Sequence, residues 1–105
     1  MTETKEIVIR PQDLRITQQI INMVFPAGVK VWVFGSRAKG TTKRFADLDL
    51  AFDANRPMTR SEVMAMQDQF EISDLPYTVD ILDLHTVKDY FKAIIEKDFI
   101  PLPLS

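Results

Sequence analysis

The stretch from Lys30 to Asp53, KVWVFGSRAKGTTKRFADLDLAFD, decides how the whole chain is read. Lys30-Val31-Trp32-Val33-Phe34 is too short for a helix and rich in β-formers, so it predicts a buried strand. Gly35-Ser36-Arg37-Ala38-Lys39-Gly40 is a glycine-bounded polar segment with room for one helical turn. Residues 46–53 then alternate strictly. Leu48, Leu50 and Phe52 fall on one face of a second strand, and Asp47, Asp49 and Asp53 on the other.

Upstream, Pro11 opens a helical pattern carried to residue 25 by Leu14, Ile20, Ile21, Val24 and Phe25, with Pro26 and Gly28 as its stop. Downstream, Thr59 with Glu62 has the form of a capping box, and Val63, Met66 and Phe70 continue one helical face. Residues 77–82 alternate as a third strand. Thr86 is placed to cap a last helix bearing the stripe Phe91, Ile94, Ile95 and Phe99, read as core. The order helix, strand, short helix, strand, helix, strand, helix implies an α/β (α+β) fold with helices packed on a small sheet. We read residues 1–105 as one domain with its core at about 12–98. The apolar tail 99–105 is left over as a contact for a partner chain.

Composition sets the outer limits. The 105 residues carry 13 Lys+Arg and 15 Asp+Glu, a formal charge of −2, which gives no reason to expect direct nucleic-acid binding. There is no cysteine, so disulfides and thiolate chemistry are excluded. No apolar run approaches the ~20 residues of a membrane span, and Met1–Arg10 lacks the apolar stretch of a signal peptide. These features read as a cytoplasmic protein without a membrane. The acids divide into ten Asp and five Glu. Asp is a poor former of helices and strands, so its excess points to turns, caps or a site.

Asp47 and Asp49 lie about 6.5 Å apart along one strand face. Two such carboxylates repel, and hard oxygen donors without nearby His or Cys favour Mg²⁺, with Mn²⁺ as the alternative, over Zn²⁺. If the second and third strands are neighbours, Asp80 joins the pair. Just upstream, Gly35 allows a close backbone approach. Ser36 offers a hydroxyl, and Arg37, Lys39, Lys43 and Arg44 bring four cations within eight residues without an acid. Arg37 and Lys39 read equally well as phosphate contacts or as a solvated loop. A phosphate cradle beside a divalent-metal platform is what phosphoryl or nucleotidyl transfer requires. Asp53 and Asp83 read as strand-end polar residues, His85 as structural, and Trp32, Tyr77 and Tyr90 as packing residues.

Gly35-Ser36, ten residues, then Asp47-Leu48-Asp49 resembles the signature of the polymerase-β-like nucleotidyltransferases. Gly-Ser-Arg-Ala-Lys-Gly at 35–40, Ala-Asp-Leu-Asp-Leu-Ala at 46–51 and Val-Asp-Ile-Leu-Asp-Leu at 79–84 resemble its minimal nucleotidyltransferase (MNT) group. Those are the small antitoxin partners of HEPN proteins. The resemblance implies a small mixed sheet, with Gly35, Ser36, Arg37 and Lys39 on the nucleotide. It also implies catalytic Asp47, Asp49 and Asp80 holding two Mg²⁺ ions, Asp80 helping to activate the acceptor hydroxyl. The implied reaction moves AMP from ATP to a tyrosine hydroxyl of a HEPN ribonuclease toxin, bound as a hetero-oligomer. Alternatives are neutralisation of the partner by binding alone, or nucleotidyl transfer to a small molecule.

Overall fold

The computed structural model describes residues 6–40 and 43–105. Met1–Lys5 of the N-terminal stretch, and Thr41-Thr42 within the spacer between Ser36 and Asp47, lie outside them. Helix α1 (Pro11–Val24) leads through a turn to strand β1 (Lys30–Phe34), the single turn α2 (Ser36–Lys39) and strand β2 (Leu48–Asp53). Helix α3 (Arg60–Ile72), strand β3 (Val79–Asp83), helix α4 (Asp89–Ile95) and the two-residue strand β4 (Ile100–Pro101) complete the chain.

The sheet order is β3-β2-β1-β4. β1 is antiparallel to β2 and β4, whereas β2 and β3 are parallel, with α3 as the long connection that a parallel pair requires. The sheet is therefore mixed, as the resemblance implies. Its period of two sorts the residues as expected. Val31, Val33, Leu48, Leu50 and Phe52 are buried in one core with Ile20 and Ile21 of α1, Phe25 just after it, and Met66 and Phe70 of α3. The opposite face carries Trp32, Phe34, Asp49 and Asp80. α3 starts on the capping box read from the sequence: Thr59 accepts from the Glu62 amide, and the Glu62 carboxylate accepts from the Thr59 amide. The Arg56 guanidinium beside Glu62, helped by that amide, pulls the Glu62 carboxyl down to about 2.

Three expectations are corrected at the C-terminal end. Thr86 does not cap α4; its hydroxyl donates to the Asp83 carbonyl, and the N-cap is Lys88 without a side-chain bond. The stripe on α4 is not core: Ile95 is buried, but Tyr90 is 68% and Ile94 58% exposed, and Phe91 is also exposed. Phe99 also turns inward, onto the open sheet face, stacking on Trp32 at 5.5 Å and meeting Phe34 at 6.1 Å. The tail is not a free apolar arm either. Ile100 and Leu102 are buried, the Leu102 amide donates to the Val31 carbonyl, and Gln18 and Asn22 donate to the carbonyls of Pro103 and Leu104. The tail closes the sheet: among the described residues, β4 is the strand that pairs with the outer edge of β1. Leu102→Ala is expected to cost about 2–5 kcal/mol in urea unfolding, the range for a buried leucine truncation; an unchanged midpoint would return the tail to the surface.

Candidate active site

Gly35 turns the chain from β1 into α2 at φ 72 and ψ −154, a conformation that side chains rarely adopt. A Cβ there would run into Oδ2 of Asp49. The glycine therefore leaves the room that the Asp49 carboxylate fills. Ser36 follows at once as the first residue of α2, and Gly40 ends that turn in the left-handed region, φ 76.

Asp49 lies across from Phe34 on one side and in parallel register with Asp80 on the other. Burial, a hydrogen bond with Asp80, and the negative charges of Asp80 and Asp47 push its carboxyl up to about 6. Between about pH 4 and pH 6, Asp49 thus keeps a proton that an isolated aspartate would release. Asp47 lies one residue ahead of β2 and is exposed. Among the described residues no three Asp, Glu or His side chains are gathered as a metal cage. The structure brings Asp49 and Asp80 side by side and leaves Asp47 outside that pair. An oxygen-only pair whose charges repel fits a hard divalent cation.

The basic segment is divided by the fold. Lys39 is half exposed and lies 3.5 Å from Asp98, a surface pairing worth little. A cavity of about 640 Å³ opens beside Ser36, lined also by Lys43, Arg44, Phe45 and Ala46. Arg37 is placed differently from the expectation that it contacts the nucleotide. It is only 5% exposed, and its guanidinium donates to the carbonyls of Val8 at 2.8 Å, Ala46 at 2.8 and 3.1 Å, and Arg44 at 3.3 Å. It also lies over the Tyr77 ring, 4.0 Å from the centroid. The guanidinium has all but one of its N–H groups engaged with backbone oxygens.

Sequence reasoning missed the partners of this arrangement. Asp13, 1% exposed, accepts two bonds from Arg10 and one from the Tyr77 hydroxyl. The Arg10 guanidinium holds the Asp13 carboxyl low, and burial pushes Tyr77 up to about 12. Asp13 and Tyr77 are 64 positions apart, so no local spacing joins them. At the other end of β2 and β3, Asp53 Oδ1 lies 2.7 Å from His85 Nε2 and accepts its proton when that nitrogen carries one, and Asp83 accepts from the amides of Met58 and His85. These are the strand-end roles read for Asp53, Asp83 and His85.

Against known proteins, residues 18–102 match the family model described as "Polymerase beta, Nucleotidyltransferase". The chain is 36% identical over 100 residues to the Haemophilus influenzae protein named "Probable protein adenylyltransferase MntA", spanning 95% of this chain and 87% of that one. A crystal structure of a candidate nucleotidyltransferase from Sulfolobus solfataricus aligns at 25% identity with a TM-score of 0.49, covering 84% of this chain and 77% of that one.

The raised Asp49 carboxyl has a consequence for stability. The folded chain holds this proton more tightly than the unfolded one, so the associated stability is present below about pH 4 and is lost as pH rises through about 6. Asp49→Asn does not titrate. In chelator, its Tm relative to the parent is expected to rise between pH 5 and pH 7.5. A difference that stays flat over that range would remove the Asp49–Asp80 repulsion from the account.

Proposed function

The chain belongs to the polymerase-β nucleotidyltransferase family, and from that premise we propose that it is an antitoxin of the MNT type that moves AMP from ATP to a protein hydroxyl. The acceptor we assign is a tyrosine of a HEPN ribonuclease toxin, held by this chain in a cytoplasmic hetero-oligomer. The observation that carries the reading is the register of Asp49 with Asp80, directly against the Gly35-Ser36 turn. The name of the Haemophilus influenzae relative supports transfer to protein. Among the described residues no helix is long and apolar enough to cross a membrane.

In this reading residues 1–105 act as one domain. Asp47, Asp49 and Asp80 would hold two Mg²⁺ ions, or Mn²⁺ in their place. When bound, those cations would offset the charge of the triphosphate and of the bond that breaks. The chain's own groups do the rest. Gly35 and Ser36 receive the phosphates with backbone amide and hydroxyl, and Lys39 adds a cation that can leave its exposed contact with Asp98. Asp80, at the exposed edge of the pair, faces the acceptor and takes up the proton as the tyrosine oxygen bonds to the α-phosphorus. The bond from that phosphorus to the β-phosphate bridging oxygen breaks, and pyrophosphate leaves. The exposed apolar side chains Tyr90, Phe91 and Ile94 favour a partner surface on α4, since a patch of this kind on a small domain commonly marks an interface.

The test is intact-mass analysis of a HEPN partner incubated with this chain, ATP and Mg²⁺. We expect one or more AMP units to be gained. Asp49→Asn or Asp80→Asn should lower the rate at least about 100-fold, the order of loss when a single charge-stabilising group is removed. A stable complex without any mass gain would favour neutralisation by binding alone.

A further inference from the structure

Arg37 is the second residue of α2, one position beyond Ser36, yet it points into the protein. Four hydrogen bonds from its guanidinium reach two separate segments. The Val8 carbonyl belongs to the N-terminal segment, which returns a bond from the Val8 amide to the Arg37 carbonyl at 2.9 Å. The Arg44 and Ala46 carbonyls belong to the loop that leads into Asp47. The face of the same guanidinium rests on Tyr77, three residues ahead of Asp80. The two site strands meet nearby, where the Leu48 amide donates to the Thr78 carbonyl at 2.9 Å. One planar cation thus touches the segment before each proposed ligand and is itself bonded to the turn that holds Ser36.

We infer that Arg37 is a positioning residue: it fixes the backbone at Ala46, and with it where the exposed Asp47 stands relative to the Asp49–Asp80 pair. Asp47 lies one residue outside β2, and among the described residues no strand pairing includes it. The carbonyl immediately before it is held twice by Arg37, at 2.8 and 3.1 Å. A fork of donors fixed in one plane can bind several carbonyls at once and still stack on an aromatic ring; a lysine has one nitrogen and no plane. The role is distinct from phosphate contact, and it explains why the only deeply buried base of the 37–44 run is Arg37. Its bearing on metal binding rests on the function proposed above, whereas its bearing on the loop does not.

The experiment compares Arg37→Lys with Ile21→Val, a core truncation on α1 that removes none of the hydrogen bonds of Arg37, both folded at the working temperature. The first readout is amide exchange in the metal-free protein. Arg37→Lys is expected to speed exchange across residues 43–48 by about tenfold or more beyond its effect in α3, and Ile21→Val to show no such local excess. The second is Mn²⁺ affinity measured by calorimetry, expected to weaken about 10- to 100-fold in Arg37→Lys, the usual effect of removing a group that holds a ligand in place. If Arg37→Lys does not fold, Tyr77→Leu, which removes the ring beneath the guanidinium, carries the same comparison. Equal exchange profiles in both variants would overturn the inference and leave Arg37 as general packing. Failure of the parent to bind Mn²⁺ would instead count against the metal reading, and the exchange data would still decide the role of Arg37.

Discussion

Two like charges set side by side are the constraint around which this small fold is arranged. Asp49 and Asp80 are direct partners in a parallel pairing, and once both are ionised their charges oppose that contact. The opposite face enforces it. Leu48, Leu50 and Phe52 enter a core with α1 and α3, and a slip of one residue would turn all three outward. The apolar side of the sheet therefore supplies the free energy that keeps the acidic side in register. Gly35 belongs to the same device, since only the absence of a side chain there lets β1 run up against the Asp49 carboxylate.

Much of this was legible in the sequence because it is written at short range. Alternation in 46–53 and 77–82 gave the facing of β2 and β3, and Thr59 with Glu62 marked the start of α3 three residues apart. The joint spacing of Gly35-Ser36, Asp47-Leu48-Asp49 and Asp80 identified the candidate site. What escaped depends on pairings that no local pattern encodes. β4 contains a proline and spans two residues, too little for a periodicity, and its meaning comes from β1 some seventy positions earlier. The α4 stripe has helical spacing, but spacing cannot tell a face packed on the protein from one left to solvent.

Arg37 shows the same limit in electrostatic terms. Four bases in eight residues look alike as charges, and a count of charges leads to a phosphate cradle. The fold assigns them different environments: Lys39 meets an exposed carboxylate, Arg44 lies 5.2 Å over the exposed Phe45 ring, and Arg37 is surrounded by carbonyl oxygens. A buried guanidinium is tolerated here because several backbone acceptors and an aromatic face replace its hydration. The acid that does lie close, Asp13, acts from beyond Tyr77, whose hydroxyl it accepts.

The short closing strand also bears on how the chain behaves among its own copies. Lys30-Val31-Trp32-Val33-Phe34 is the kind of apolar, β-rich segment that pairs readily with another strand, and among the described residues β4 is the strand along its outer edge. β4 is poorly suited to recruit a further strand, since Pro101 has no N–H and Pro103 follows two residues later. At the far edge, β3 presents the charges of Asp80 and Asp83. The last six residues therefore act as an edge guard, keeping the most aggregation-prone strand of the protein out of reach of its neighbours for as long as they stay docked.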